Sequence, residues 1–273
     1  MRLALELKLT SIWALKFSLR PFTQPLECQE DSLLERYKAE ALFVSETTPM
    51  CHASVYDFTL EILSRNLKDE IHGSRILEVG SKYTNGSIRP ALILACKPRE
   101  YVGVDFLPGT FVDVVLPCEE IVKAFGKASF DVVVATEFLE HVENWRVAIF
   151  NLKSVLKPGG IILLTTRSKG FPYHPVPVDC WRYEISDFQQ IFSDFQEIYL
   201  GTDPEAPGIF YVGKKGNGDS SNLDGVALYS MLLGRRTKLI PKSREQPLIR
   251  RIRLMIFNRT EAISRRLLRM GQT

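Results

Sequence analysis

From Arg75 onward the chain alternates short, nearly unbroken apolar runs with longer stretches of mixed character. A strand buried on both faces of a parallel sheet has no polar side to show, so it reads as a solid apolar run ended by Gly or Asp. The pattern predicts strands over about 75–79, 100–104, 112–115, 130–136 and 160–166. It adds a helix at 186–192 and a closing pair of strands, 195–200 and 208–213, around the turn at 204–208. Such alternation argues for a doubly wound α/β sheet, with the last pair as a terminal antiparallel hairpin. Upstream, helical patterns cover about 31–43 and 54–68, and in the second Val55, Phe58, Ile62 and Leu63 share one broad face. Pro21 and Pro25 break anything earlier. Beyond Lys214, the run Gly-Asn-Gly-Asp-Ser-Ser-Asn is linker material, followed by an apolar patch near 228–233 and a basic amphipathic stretch over about 247–270. The expected organisation is an N-terminal helical flank or lid over 1–69, a core domain over 70–215, and a linker with a basic helical extension over 216–273.

Charge sharpens that division. The net charge of the 273 residues is +3, yet residues 1–213 hold 21 Lys/Arg against 28 Asp/Glu, while 214–273 hold 14 against 4. The basic end suits an anionic partner, RNA or an anionic membrane surface, met through the segment 235–270. A solvated helix docked on the acidic body fits the same composition. Cys28, Cys51, Cys96, Cys118 and Cys180 are scattered, with no paired spacing for zinc or redox work. Reduced thiols and a cytoplasmic location follow. Arg2, Glu6, Lys8, Lys16 and Arg20 interrupt the apolar residues at the start, which argues against a signal peptide or a membrane span and leaves at most a peripheral membrane association.

Candidate chemistry begins where the first strand ends. The stretch from Arg75 to Gly86 runs Arg-Ile-Leu-Glu-Val-Gly-Ser-Lys-Tyr-Thr-Asn-Gly, so Glu78 and Gly80 stand at the carboxyl end of a buried strand, where open α/β folds bind ligands. An acid at that point suits an ammonium group better than a pyrophosphate. Asp105 closes the next strand, where a carboxylate can accept from both hydroxyls of a ribose.

Together with Ser129-Phe-Asp-Val-Val-Val-Ala-Thr-Glu-Phe-Leu-Glu-His-Val142 and Leu156-Lys-Pro-Gly-Gly160, these motifs resemble the class I S-adenosylmethionine-dependent methyltransferases over about 70–213. The resemblance implies a Rossmann-like seven-stranded sheet and S-adenosylmethionine as cofactor. It places Glu78, Gly80 and Gly86 around the methionine moiety, Asp105 on the ribose, Cys118 and Glu119 near the adenine, and Thr136 and Glu137 near the sulfonium. The chain departs from the family pattern where Lys82 and Tyr83 replace small residues, and where Pro117 stands in place of a frequent acid. Lys157-Pro-Gly-Gly160 reads as a turn that stops one helix and starts the next strand.

Glu137, Glu140 and His141 are spaced by three and four residues, which puts all three on one face of a helix. The arrangement resembles the Glu-x-x-Glu-His motif of small-RNA 2′-O-methyltransferases and ubiquinone-pathway O-methyltransferases, which implies a divalent metal on Glu137, Glu140 and His141; a further ligand is then needed, and His174 follows the fifth strand, where a loop can reach the same mouth. The same helix start is also widespread in methyltransferases that need no metal, with Glu and His bonding to backbone or the cofactor. Without a metal, His141 or His174 serves as general base for a hydroxyl. In the loop 170–184, Tyr173, Trp181 and Arg182 are candidates to bind the acceptor. Trp181 packing on the core and Arg182 paired with Asp179 is the alternative. Similar loops, His-x-x-Pro-x-Asp-x-Trp-Arg, occur in methyltransferases of unassigned substrate, many of them tied to surface glycans. The expectation is O-methylation of a small-molecule or glycan acceptor. RNA methylation is one alternative, and a non-catalytic binder with a degenerate cofactor site is the other.

Overall fold

A computed structural model describes residues 53–84, 86–174, 178–217 and 223–240. The helix expected over 31–43 and the basic stretch expected over 247–270 lie outside those residues. Ten strands are described: β1 (Arg75–Val79), β2 (Glu100–Asp105), β3 (Val114–Val115), β4 (Phe130–Thr136), β5 (Leu156–Arg167), β6 (Trp181–Arg182), β7 (Phe195–Thr202), β8 (Gly208–Lys215), β9 (Leu228–Ser230) and β10 (Arg235–Thr237). Seven form one sheet in the order β3-β2-β1-β4-β5-β8-β7. The first five run parallel, and β8 lies antiparallel between β5 and β7. The Rossmann-like sheet with its terminal hairpin is thus as expected. Strand order reverses between β1 and β4, which opens a crevice at the carboxyl ends of those strands.

The core explains the apolar runs. Val132, Val133, Val134 and Ala135 in β4 are all buried, so this central strand has no solvent face. The helix Trp145–Val155 begins where the side chain of Asn144 accepts from Val147 N, and it buries Trp145, Ala148, Ile149, Leu152 and Val155. These positions make one apolar stripe at helical spacing. Lys157-Pro-Gly-Gly160 follows directly. The ladder between β4 and β5 pairs Phe130 with Leu156 and then Val132 with Ile161, so four residues bulge out of register. A Cβ on Gly160 would sit 2.8 Å from the carbonyl oxygen of Asp131. The helix expected over 54–68 runs from Ala53 to Ile62, passes a π turn at Leu63–Leu67 and ends in the short helix Lys68–Ile71. Its Phe58 stacks on Phe210 of β8 with ring centroids 4.7 Å apart. Among the described residues no helix is long and apolar enough to cross a membrane.

The packed unit does not end near residue 215. The apolar patch expected near 228–233 forms β9 and its turn, and β9 pairs with β6 on one side and β10 on the other. A small second sheet therefore clips the loop after β5 to the chain that follows the main domain. Arg146 donates to the carbonyls of Leu223 (3.2 Å) and Val226 (2.8 Å), and Arg236 pairs with Asp187.

Two buried lysines tie helix ends to the last strands. Lys153 Nζ donates to Ile191 O and pairs with Asp194, both at 2.5 Å. Lys215 Nζ donates to the carbonyls of Lys153 (2.7 Å) and Leu156 (3.0 Å), the C-terminal turn of Trp145–Val155. A cation there satisfies carbonyls that the helix cannot pair and complements its dipole. Lys215→Met keeps the stem and strips both bonds, so urea unfolding should show a loss of about 2 kcal/mol. A change below about 0.5 kcal/mol would mean that these carbonyls are satisfied without it.

Candidate functional site

The turn after β1 crosses the end of β2. Gly80 has φ +79°, and a Cβ there would lie 2.8 Å from Phe138 Cδ2, so both the backbone and the space require glycine. Gly80 N and Ser81 N donate to Val104 O at 2.9 and 3.1 Å. Lys82 N donates to Asp105 Oδ2 at 3.2 Å, and Leu107 N to Oδ1 at 3.0 Å. Each oxygen of Asp105 keeps acceptor capacity, and the residue is half-buried. That leaves the carboxylate able to accept from a vicinal diol. Gly86 ends the turn at φ +139°. The stem of Lys82 covers Gly109, whose Cβ would lie 2.9 Å from Lys82 Cγ, and Tyr83 meets Phe111 edge-on at 5.8 Å. The two large residues of the first motif thus pack on the β2–β3 loop. Phe106 and Leu107, next to Asp105, are exposed apolar side chains.

Beneath this turn lies a polar knot that sequence reasoning missed. Glu78 accepts from Tyr101 Oη at 3.1 Å. Arg89 pairs with Asp113 at 2.9 Å and donates to Phe111 O at 2.8 Å, while Asp113 accepts from Gly103 N at 2.7 Å. Burial pushes the Glu78 carboxyl up from the ordinary 4.5 to about 7, against the Tyr101 bond and the nearby Arg89. Glu78 is therefore a deep acid under the turn.

At the expected adenine stretch the Cys118 side chain is buried, its thiol donates to Glu119 Oε2 at 3.3 Å, and burial pushes its pKa well up. Asn151 Nδ2 donates to the carbonyls of Cys118 (3.0 Å) and Glu119 (2.8 Å) and anchors the turn to its helix. Cys118 is a core thiol here, while Glu119 stays exposed.

The end of β4 corrects one expectation. Glu137, Glu140 and His141 do not share a helical face, because Glu137 has φ +51° and only Leu139–His141 form a 3-10 turn. A left-handed residue reverses the chain before any helix starts. Thr136 is half-buried opposite Thr165 on β5. Glu137 accepts from Thr165 Oγ1 at 2.9 Å and pairs with Arg167, a fully buried guanidinium that also reaches Asp203 at 2.8 Å. Burial and the neighbouring Glu140 carboxylate raise the Glu137 pKa in spite of Arg167.

Glu140 has no exposed surface. Its Oε2 accepts from Thr166 Oγ1 at 2.7 Å, whereas Oε1 has no hydrogen-bond partner and lies 3.8 Å from His141 Nε2. Burial raises its pKa. His141 Nδ1 is 2.5 Å from Val178 O, so Nδ1 carries the hydrogen and Nε2 is the free acceptor. His174 packs edge-on against His141, with ring centroids 4.8 Å apart, and its Nδ1 lies 3.2 Å from Asp179 Oδ2. Burial lowers the pKa of His141, whereas for His174 Asp179 outweighs burial and raises it. Glu140, His141 and His174 each offer a ligand atom within 4.8 Å of the others. Glu137 is not in that group, being spent on Thr165 and Arg167.

Two acceptor candidates are also reassigned. Trp181 is buried in the core and donates Nε1 to Glu143 O at 3.1 Å, so it cannot stack on a ligand. Arg182 is buried too, forked onto Asp179, with NH2 donating to Pro172 O at 3.2 Å. Its planar fork ties the Pro172 carbonyl to Asp179. Tyr173 remains a candidate, its buried hydroxyl having no partner. Four unpaired polar atoms, Glu140 Oε1, Arg167 NH2, Tyr173 Oη and Arg182 Nε, come from β5, its loop and the turn facing them. Five more such atoms lie elsewhere among the described residues, Ser54 Oγ, Ser74 Oγ, Ser81 Oγ, Trp145 Nε1 and Tyr211 Oη; unpaired buried groups are costly, so each calls for an explanation.

The raised Glu78 gives a pH signature. The folded protein binds the Glu78 proton more tightly than the unfolded chain, so this group's contribution is complete below about pH 4.5 and falls as pH rises through about 7. Glu78→Gln should remove that decline and raise stability at pH 8 by up to about 3 kcal/mol. Denaturation at pH 5 and pH 8 checks it, and an unchanged pH dependence would contradict it.

A family model described as a methyltransferase domain matches residues 53–198, more than half of the chain. Solved structures similar to the chain include a Burkholderia thailandensis 1,6-didemethyltoxoflavin-N1-methyltransferase with bound S-adenosylhomocysteine, at 13% identity, 72% of this chain and 94% of that one, and a TM-score of 0.43. A putative methyltransferase in complex with the Haloferax volcanii Trm112 activator matches at 13% identity, 70% and 97% coverage and a TM-score of 0.46. An Archaeoglobus fulgidus S-adenosylmethionine-dependent methyltransferase matches at 15%, 59% and 94%, and 0.44. No curated protein matches the sequence. With the family match over the domain that carries the Rossmann-like sheet, the chain belongs to the class I S-adenosylmethionine-dependent methyltransferases.

Proposed function

We propose that this enzyme methylates an oxygen of a small-molecule or glycan acceptor, with His141 as general base. The observation that carries the reading is the pair of imidazoles beside a buried carboxylate, whose environments push the two ring pKa values apart. Such separation is how neighbouring groups take different roles. Val178 O fixes the His141 tautomer, and burial keeps the ring neutral near pH 7, so Nε2 is ready to take a hydroxyl proton. Glu140 Oε1, 3.8 Å away, steadies the imidazolium that results. His174, held by Asp179, orients the acceptor oxygen as a donor.

The cofactor fits the mouth of β1, β2 and β4. Asp105 has lone pairs for the ribose hydroxyls, Gly80 leaves no side chain in the turn, and Phe106 and Leu107 offer an apolar surface beside the ribose for the adenine. Bound S-adenosylmethionine supplies the electrophilic methyl carbon. The chain's own part is alignment of that carbon with the acceptor oxygen, which removes much of the barrier.

A second reading rests on Glu140 Oε1, an unpaired carboxylate oxygen at zero exposure. Glu140, His141 and His174 fit a divalent cation, with Val178 O and Asp179 bonded to the outer ring nitrogens as supports. A metal there supplies a Lewis acid that acidifies the acceptor hydroxyl. RNA as acceptor, met by the basic segment 235–270, is the remaining alternative, with Arg235 and Lys238 exposed at its start.

Calorimetry on the full chain tests these readings together. S-adenosylmethionine should bind the wild type and bind Asp105→Ala at least about tenfold more weakly, while His141→Ala binds it normally. Titrating Mn²⁺ or Zn²⁺ into chelator-treated protein separates base from metal: saturable binding lost in Glu140→Gln and His174→Ala supports the metal, and its absence supports His141 alone. Equal cofactor binding by wild type and Asp105→Ala would overturn the cofactor assignment.

A further inference from the structure

A cavity of about 240 Å³ lies beside the cluster described above, lined by Lys169, Gly170, Phe171, Arg182, Tyr229, Met231 and Gly234. Its walls come from the loop after β5 and from the β9–β10 turn, so it exists only because the second sheet forms. The lining holds two cations and no carboxylate. Lys169 Nζ stands over the Tyr229 ring at 5.5 Å and is exposed. Arg182 spends NH1 and NH2 on Asp179 and on backbone carbonyls, but its buried Nε has no partner. The rings of Phe171 and Tyr229 supply flat apolar walls. At Gly234, φ +68°, an added Cβ would meet nothing within 4 Å, so the backbone there borders open space. The carboxylate nearest in the chain, Glu184, accepts from Lys169 N at 3.1 Å and caps the helix Ile185–Ile191.

We infer that this cavity binds an oxyanion carried on a flat or aromatic body, and that the oxyanion belongs to the methyl acceptor. The identification with the acceptor rests on the methyl-transfer reading above; the oxyanion site itself does not. The exposed Lys169 ammonium at the rim is a charge-assisted donor to a carboxylate or phosphate oxygen and steers its entry, while the Phe171 and Tyr229 rings take the flat body. The same Arg182 fork grips Asp179, whose Oδ2 holds the backbone N of His174 at 3.0 Å and its Nδ1 at 3.2 Å. Phe171 packs against the His174 ring at 5.2 Å. An anion seated at Lys169 against Phe171 is therefore beside a ring that packs on His174, which in turn packs on His141, so one end of a small acceptor can sit there with its hydroxyl toward His141. Arg182 acts here as a positioning residue for His174 through Asp179.

Calorimetric titration of the full chain with benzoate and phenyl phosphate tests the site, with benzyl alcohol as the neutral control of similar shape. Saturable binding of either anion is expected, with no binding of benzyl alcohol and at least about a tenfold loss in Lys169→Glu. The tighter of the two anions identifies carboxylate or phosphate. Lys169 is exposed and outside the cofactor mouth, so Lys169→Glu should bind S-adenosylmethionine as the wild type does. Tyr229→Ser should weaken the aryl anions more than inorganic phosphate, which separates the ring's part from that of the charge it helps to hold. No saturable anion binding, or equal binding by Lys169→Glu, overturns the site. Anion binding as expected in a protein that binds no S-adenosylmethionine counts against the methyl-transfer reading alone.

Discussion

Arg167 is the interaction on which the catalytic end of the sheet depends. It is the last residue of β5 and has no exposed surface, yet it pairs with Glu137 after β4 and with Asp203 after β7. Two carboxylates and a guanidinium brought out of water carry a large desolvation cost, and only mutual pairing offsets it. The triad therefore fixes the ends of three strands relative to one another. Burial works to raise Asp203, but the Glu205 amide and Arg167 outweigh it and hold the carboxyl below its ordinary range. Glu137 takes its left-handed backbone within this frame, donating its N–H to Thr165 O at 3.0 Å, and the reversal there directs Glu140 and His141 toward the loop after β5.

Around that frame the polar side chains fall into two groups. Some are consumed by structure: Glu137 and Asp203 by Arg167, Asp179 by Arg182, Asp113 by Arg89. Others keep unused capacity, among them Glu140 Oε1 and His141 Nε2, 3.8 Å apart, and Tyr173 Oη and Arg182 Nε in the segment after β5. Glu140 and His141 follow β4, and Tyr173 and Arg182 follow β5, so this capacity falls on the carboxyl-end side of the sheet, where the reversal of strand order opens a crevice. The second sheet adds a wall to the same region, so the chain beyond residue 215 shapes the site.

Much of this was legible in the sequence, and the limits have physical causes. The five parallel strands were readable because burial on both faces leaves only apolar residues, and Asp105 because an acid closing such a run faces the crevice. The Glu137, Glu140 and His141 spacing misled, because a helical face presumes helical φ at every position and Glu137 does not adopt it. Trp181 was weighed both as a stacking group and as a core group, and its β6 pairing with Ser230, 49 residues on, puts it in the core. The burial of the Cys118 side chain was not readable either, since periodicity does not show which face of a three-residue turn packs inward. The Tyr101, Arg89 and Asp113 knot joins residues from three separate segments, and spacing along one chain carries no sign of it. The cavity beside Arg182 depends on the β9–β10 hairpin, which composition alone reads as the start of an extension.

The most direct test of methyl transfer at this mouth is a crystal structure of the full chain with S-adenosylhomocysteine. The ribose hydroxyls should lie within hydrogen-bond distance of Asp105, with the sulfur facing the Glu140, His141 and His174 cluster. A ligand seated away from Asp105, or none bound at that mouth, would contradict it and return the non-catalytic binder as the better reading.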